Sequence, residues 1–266
     1  MQKITLTMPL ALAALAFWLA LTVGGRWLEA DAQQTLADAV AGGIGLSWAL
    51  AALFSLTVLA AARQRCAAGL CAPHPARSLW LAWPPLAYAL LMLLLAWAGG
   101  WPRPAMLLVA ACNATLVAVS EELMFRGVLL QGMLKRQALW PAVLGSSLIF
   151  GLVHTANGLA TGEPGAALWQ AAAAAMQGVG YAAIRLRTRS AWTMVPVHAL
   201  WDFALVSAML GEQERTTQAD DGVSVLPFAA LLAVLPLCLY GVYLLRPSQR
   251  DSLVADQEAR PGAGDR

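Results

Sequence analysis

Six ionisable side chains lie in stretches too apolar to be loops: Glu121, Glu122, Arg126, His154, His198 and Asp202. A charge at the centre of a membrane helix costs about 2.5–3.5 kcal/mol on insertion scales, so such residues usually face the interior and mark function. Two adjacent carboxylates in a low dielectric cannot both ionise cheaply unless a cation compensates. Arg126 lies four residues after Glu122, where a helix puts both on one face. It can hold Glu122 ionised, which leaves Glu121 free to act as a general base on a water. His154 could share that water. His198 and Asp202, again four apart, could polarise a carbonyl and stabilise an oxyanion. That set suits hydrolysis of an amide inside a membrane.

Such residues need rigid elements to carry them. The chain has 266 residues, of which 59% are hydrophobic and 12% charged, about half the charge of a soluble domain. Its net charge of +2 is too small and too dispersed to suggest nucleic acid. Apolar segments fall at about 6–23, 39–62, 78–98, 104–134, 139–156, 165–184, 191–210 and 224–245, separated by turn residues or charges. A span needs roughly 20 apolar residues. Without water each span must satisfy its own backbone, so helices are expected, and the short alternating segments of a β-barrel are absent. The expected fold is all-α: a polytopic membrane protein of about eight transmembrane helices, one domain over 1–247, then a flexible cytoplasmic tail over 248–266.

Arginines orient the helices. Arg63, Arg65 and Arg77, then Lys135 and Arg136, then Arg185, Arg187 and Arg189, then Arg246 and Arg250 fall on one side. Acidic loops at 24–38 and 211–222 fall on the other, and Arg103 is the exception. Both termini come out cytoplasmic. The first apolar run is long for a signal peptide and reads as an uncleaved helix. No cysteine pair has a CxxC spacing, and Cys66 and Cys71, on the cytoplasmic side, are expected to stay reduced. No internal repeat favours an inverted-repeat transporter, although a proton relay could use the same residue types. The tryptophans near span ends form an ordinary interfacial belt. Phe150 and Trp201 read as packing residues, and Asn113 and Asn157 as hydrogen-bonding between helices or at their ends.

The runs Glu121-Glu122-Leu-Met-Phe-Arg126, Phe150-Gly-Leu-Val-His154 and His198-Ala-Leu-Trp-Asp202 resemble, in order, three motifs of the CPBP family. That family comprises CAAX proteases and bacteriocin-processing enzymes and includes the type II CAAX prenyl endopeptidases. The similar region runs from about Asn113 to Val206, inside a family-like core at about 104–210. The resemblance implies an all-helical intramembrane endopeptidase of glutamic type, historically described as a metalloendopeptidase. By position it makes Glu121 the water-activating glutamate, His154 its partner, His198 an oxyanion-hole residue, and Glu122 and Arg126 supporting residues. Asp202 stands where prenyl-protein members usually carry Asn. An ionised Asp would repel an oxyanion, so it must be protonated, paired with a histidine, or a metal ligand.

Zinc accepts His and carboxylate ligands, so a zinc ion on Glu121, His154, His198 and Asp202 is the alternative to a metal-free mechanism. The expected partners are the lipid bilayer and a membrane-anchored peptide or protein substrate. The Ala-rich, Lys-poor composition suggests a bacterial inner membrane. Bacteriocin leaders, sorting-signal tails or other anchored precursors are then better candidates than prenylated proteins. The competing reading is a non-catalytic membrane protein, such as a bacteriocin self-immunity factor or a scaffold. Each polar residue alone could be structural, with Glu122 and Arg126 a simple ion pair between packed helices.

Overall fold

The computed structural model of the chain describes residues 3–25, 40–216 and 226–246. All eight apolar segments fall on helices. They are α1 (Met8–Leu19, running on into a π-helical turn, Ala20–Gly24), α2 (Leu46–Ala61), α3 (Trp83–Ala98, led in by a 3-10 stretch Ala76–Ala82) and α4 (Pro104–Glu121). α4 continues without a break as a π-helix over Glu122–Leu129 and then as α5 (Leu130–Leu134). After it come α6 (Leu139–His154), α7 (Asn157–Thr161), α8 (Pro164–Thr188), α9 (Val195–Thr216) and α10 (Leu226–Leu244). Among the described residues there is no strand, only one isolated bridge between Ile4 and Ala62.

Prolines set the helix starts: α1, α3, α4 and α8 each have Pro in the first two positions, where its missing N–H costs nothing. Gly162 ends α7 in the left-handed region, with φ 75°, which glycine enters without a Cβ penalty. α2 begins later than its apolar segment because Gly42, Gly43 and Gly45 lie just before it.

Four helical runs are long and apolar enough to cross a membrane: Ala76–Ala98, Pro104–Leu134, Leu139–Thr161 and Ala191–Glu212. Met8–Gly24, Leu46–Ala61 and Val234–Leu244 are apolar but shorter. α8 has the length, with 25 residues, but carries Gln170, Gln177, Arg185 and Arg187. Length and composition therefore support four crossings among the described residues, against the eight expected. The acidic loops used for orientation, in large part, and the tail at 248–266 lie outside the described residues.

The π-helix is the centre of the core. All eight of its residues are buried, including Leu123, Met124, Phe125, Val128 and Leu129 in the main apolar cluster. It packs against α1, α2 and α6, while α8 lies between α6 and α10, and α9 between α3 and α4. Asn113, fully buried, donates to the carbonyls of Val40 and Gly43 and accepts from the Gly45 N–H, tying the start of α2 to α4. Asn157 donates to Gln170 at 2.9 Å, joining α7 to α8.

The loop after α2 corrects one expectation. Cys66 and Cys71 form a disulfide rather than two free thiols, because the turn between them brings their Cα atoms to 4.7 Å, within bridging range. The loop docks on the end of α8 and the approach to α9. Arg185 donates to the Ala67 carbonyl, Ala191 N–H to Gly69, and the Trp192 indole to Leu70.

Candidate active site

Glu121 closes α4, and Glu122 and Arg126 lie on the π-helix that continues it. π-helical turns inside α-helices are frequent at functional sites, and this one spans eight residues. His154 ends α6. His198 and Asp202 lie one turn apart near the start of α9.

His198 is where three carboxylates meet. Its Nδ1 lies 2.8 Å from Glu122 Oε1, and its Nε2 lies 3.4 Å from Asp202 Oδ2 and 3.6 Å from Glu121 Oε2. Glu122 Oε2 is 3.4 Å from Arg126 Nε. Glu122, Arg126 and His198 are buried. The side chains of Glu121 and Asp202 are 12% and 28% exposed, so the site is closed on the Glu122 side and reachable from the Asp202 side.

The sequence assigns the adjacent carboxylates separate tasks, Glu122 to the ion pair with Arg126 and Glu121 to the water. Instead both reach the same imidazole, one at each ring nitrogen, and Glu122 bridges Arg126 and His198. The ring sits between the two side chains, so divergent directions still converge on it.

His154 stands beside this network. Its Nδ1 lies 2.8 Å from the Phe150 carbonyl. A carbonyl only accepts, so Nδ1 carries the proton, and in the neutral ring Nε2 keeps its lone pair. The Phe150 ring links the two histidines, edge-on to His154 at 4.8 Å and to His198 at 6.2 Å between centroids.

Residues 102–204 match the family model Type II CAAX prenyl endopeptidase Rce1-like. The matched segment holds all six ionisable residues and all three motifs, in agreement with the CPBP resemblance. Comparison with curated proteins and with solved structures gives no match.

The matched segment contains further residues that the motifs did not single out. The Arg126 guanidinium lies over the Phe150 ring at 3.9 Å and near the Tyr181 ring at 5.5 Å. This is cation–π support for a charge held away from water. Tyr181, on α8, packs edge-on against His198 at 5.5 Å, and its hydroxyl accepts from Gln177 at 2.8 Å. The signal for this pair was two polar side chains four residues apart in an Ala-rich helix. Phe150 is a packing residue, as expected, but what it packs is the site itself.

Two readings of the sequence bear on metal and on Asp202. Among the described residues no group of three or more His, Cys, Asp and Glu is placed to hold a metal ion together. One nitrogen of each histidine is already committed, to Glu122 and to the Phe150 carbonyl. Asp202 is paired with His198, one of the three states its charge allowed.

Proposed function

We propose that the chain is an intramembrane endopeptidase that hydrolyses a peptide bond in a membrane-anchored peptide or protein, using a water activated by Glu121. The observation that carries this reading is Glu121 Oε2. It is buried, faces His198, and makes no hydrogen bond among the described residues. A carboxylate oxygen held in that way is equipped to accept a proton from water. The Rce1-like match over 102–204 supports protease activity in a membrane protein.

We assign the roles as follows. Glu121 takes the proton as the water oxygen attacks the carbonyl carbon. His154, whose Nε2 is left free by the Nδ1 contact to the Phe150 carbonyl, is its partner on that water in this reading. Arg126 and Glu122 hold the His198 ring, and Asp202 lies on its reachable side. No step runs through a metal. The helices cross an inner membrane eight times in this reading, with both termini cytoplasmic.

Profiling of protein N-termini in membranes from cells with and without the chain tests the function. New N-termini within or beside membrane segments, appearing only with the chain, are expected and would name the substrate. Their absence would favour the self-immunity or scaffold role. Metal analysis of the purified active protein is expected to find no stoichiometric zinc. Activity lost to a chelator and restored by zinc would overturn the metal-free mechanism.

A further inference from the structure

The surroundings of His198 fit proton donation better than stabilisation of an oxyanion. An ionised carboxylate only accepts hydrogen bonds, so Nδ1, 2.8 Å from Glu122 Oε1, carries a proton. Glu122 is wholly buried and held in turn by Arg126, so this contact fixes the ring from one side. Nε2 faces carboxylate oxygens too, Asp202 at 3.4 Å and Glu121 at 3.6 Å, ion-pair distances at which negative charge favours a proton on that nitrogen as well. The Tyr181 and Phe150 rings flank the imidazole edge-on and restrict its rotation. A donor directed at two carboxylates is poorly placed to receive an oxyanion. It is well placed to pass a proton on and to recover one from Glu121.

We infer, on the basis of the peptidase reading above, that His198 is the general acid of the reaction, with Glu122 as its positioning residue. Glu121 takes one proton from water while the water oxygen bonds to the carbonyl carbon and the C=O π electrons move to oxygen. The intermediate then collapses. The C–N electron pair leaves with nitrogen, which takes the Nε2 proton of His198, and the products are an amine and a carboxylic acid. Protonated Glu121 returns its proton to Nε2 across the 3.6 Å gap, resetting both groups. Water and amide are consumed, and no other reactant is needed.

The test compares two leaving groups in the same site. One probe is a membrane-anchored peptide containing the cleavage site found by N-terminal profiling. The other carries an aryl ester at the scissile position, whose phenolate departs without a proton. His198→Gln is expected to slow amide cleavage about a hundredfold more than ester cleavage, the size of a general-acid contribution. Glu122→Gln should change the ratio in the same direction, by less. Because both rates are read in one preparation, the fraction of folded protein cancels from the ratio. An oxyanion stabiliser would slow both probes alike. Equal loss in His198→Gln, or loss of all activity there with an unchanged ratio in Glu122→Gln, overturns the general-acid role. If the native chain cleaves neither probe, the peptidase reading fails and this role with it.

Discussion

Glu122 touches Arg126 at 3.4 Å and His198 at 2.8 Å, whereas Glu121 makes one looser contact at 3.6 Å. The two neighbours should therefore respond differently to the same substitution. Glu122→Gln leaves Arg126 buried without its counter-charge, and removing one partner of a buried pair costs about 3–5 kcal/mol. We expect a clear fall in the thermal unfolding temperature in detergent for Glu122→Gln and little change for Glu121→Gln. The same temperature for both would contradict the assignment of Glu122 as anchor. At this scale the sequence showed the ionisable set, because charged residues inside apolar runs are conspicuous, and it showed the Glu122–Arg126 pair through its spacing. It could not show that Glu122 also holds His198, 76 residues away, nor that Phe150 and Tyr181 surround the pair. Those contacts depend on how separate helices pack.

The helix that carries the carboxylates changes form at Glu122, and all eight residues of the π-helix are buried. The apolar run marked a helix over 104–134 but not this widened turn, since a segment buried all round has no solvent-facing stripe to reveal its pitch. Element ends were legible where Pro or Gly punctuates the chain, as at Pro104 and Gly162. Gly151, inside the second motif, has a reason that only packing discloses. A Cβ there would lie 2.5 Å from the Ala171 carbonyl oxygen and 2.7 Å from the Ala175 Cβ. Gly151→Ala must push α6 from α8 and displace His154, one turn away. Overpacking of this kind costs about 1–3 kcal/mol, so we expect a lower unfolding temperature together with slower cleavage. Unchanged stability would show that the two helices do not approach so closely. Asn113→Ala removes three hydrogen bonds at a fully buried position. It should cost about 1–3 kcal/mol for the polar groups left unpaired, read in the same unfolding assay.

Across the whole molecule, hydropathy located the helices but predicted about eight crossings, where length and composition support four among the described residues. Burial explains why: α8 is packed between α6 and α10 and can carry Gln177 and Arg185 in its interior-facing positions, so its composition does not resemble that of a lipid-facing span. Reporter fusions at positions 70 and 160 should read cytoplasmic and external, in keeping with the arginine clusters. An external result at 70 would invert the topology and would also place the Cys66–Cys71 disulfide in an oxidising compartment. Whether Glu121 is the base of an intramembrane peptidase is read from one comparison. Native protein and Glu121→Gln are purified from the same membranes, matched for unfolding temperature, and assayed for release of a tagged membrane-anchored precursor. We expect the native chain to cleave and the folded Glu121→Gln variant not to; cleavage by that variant at the native rate would rule out Glu121 as the base.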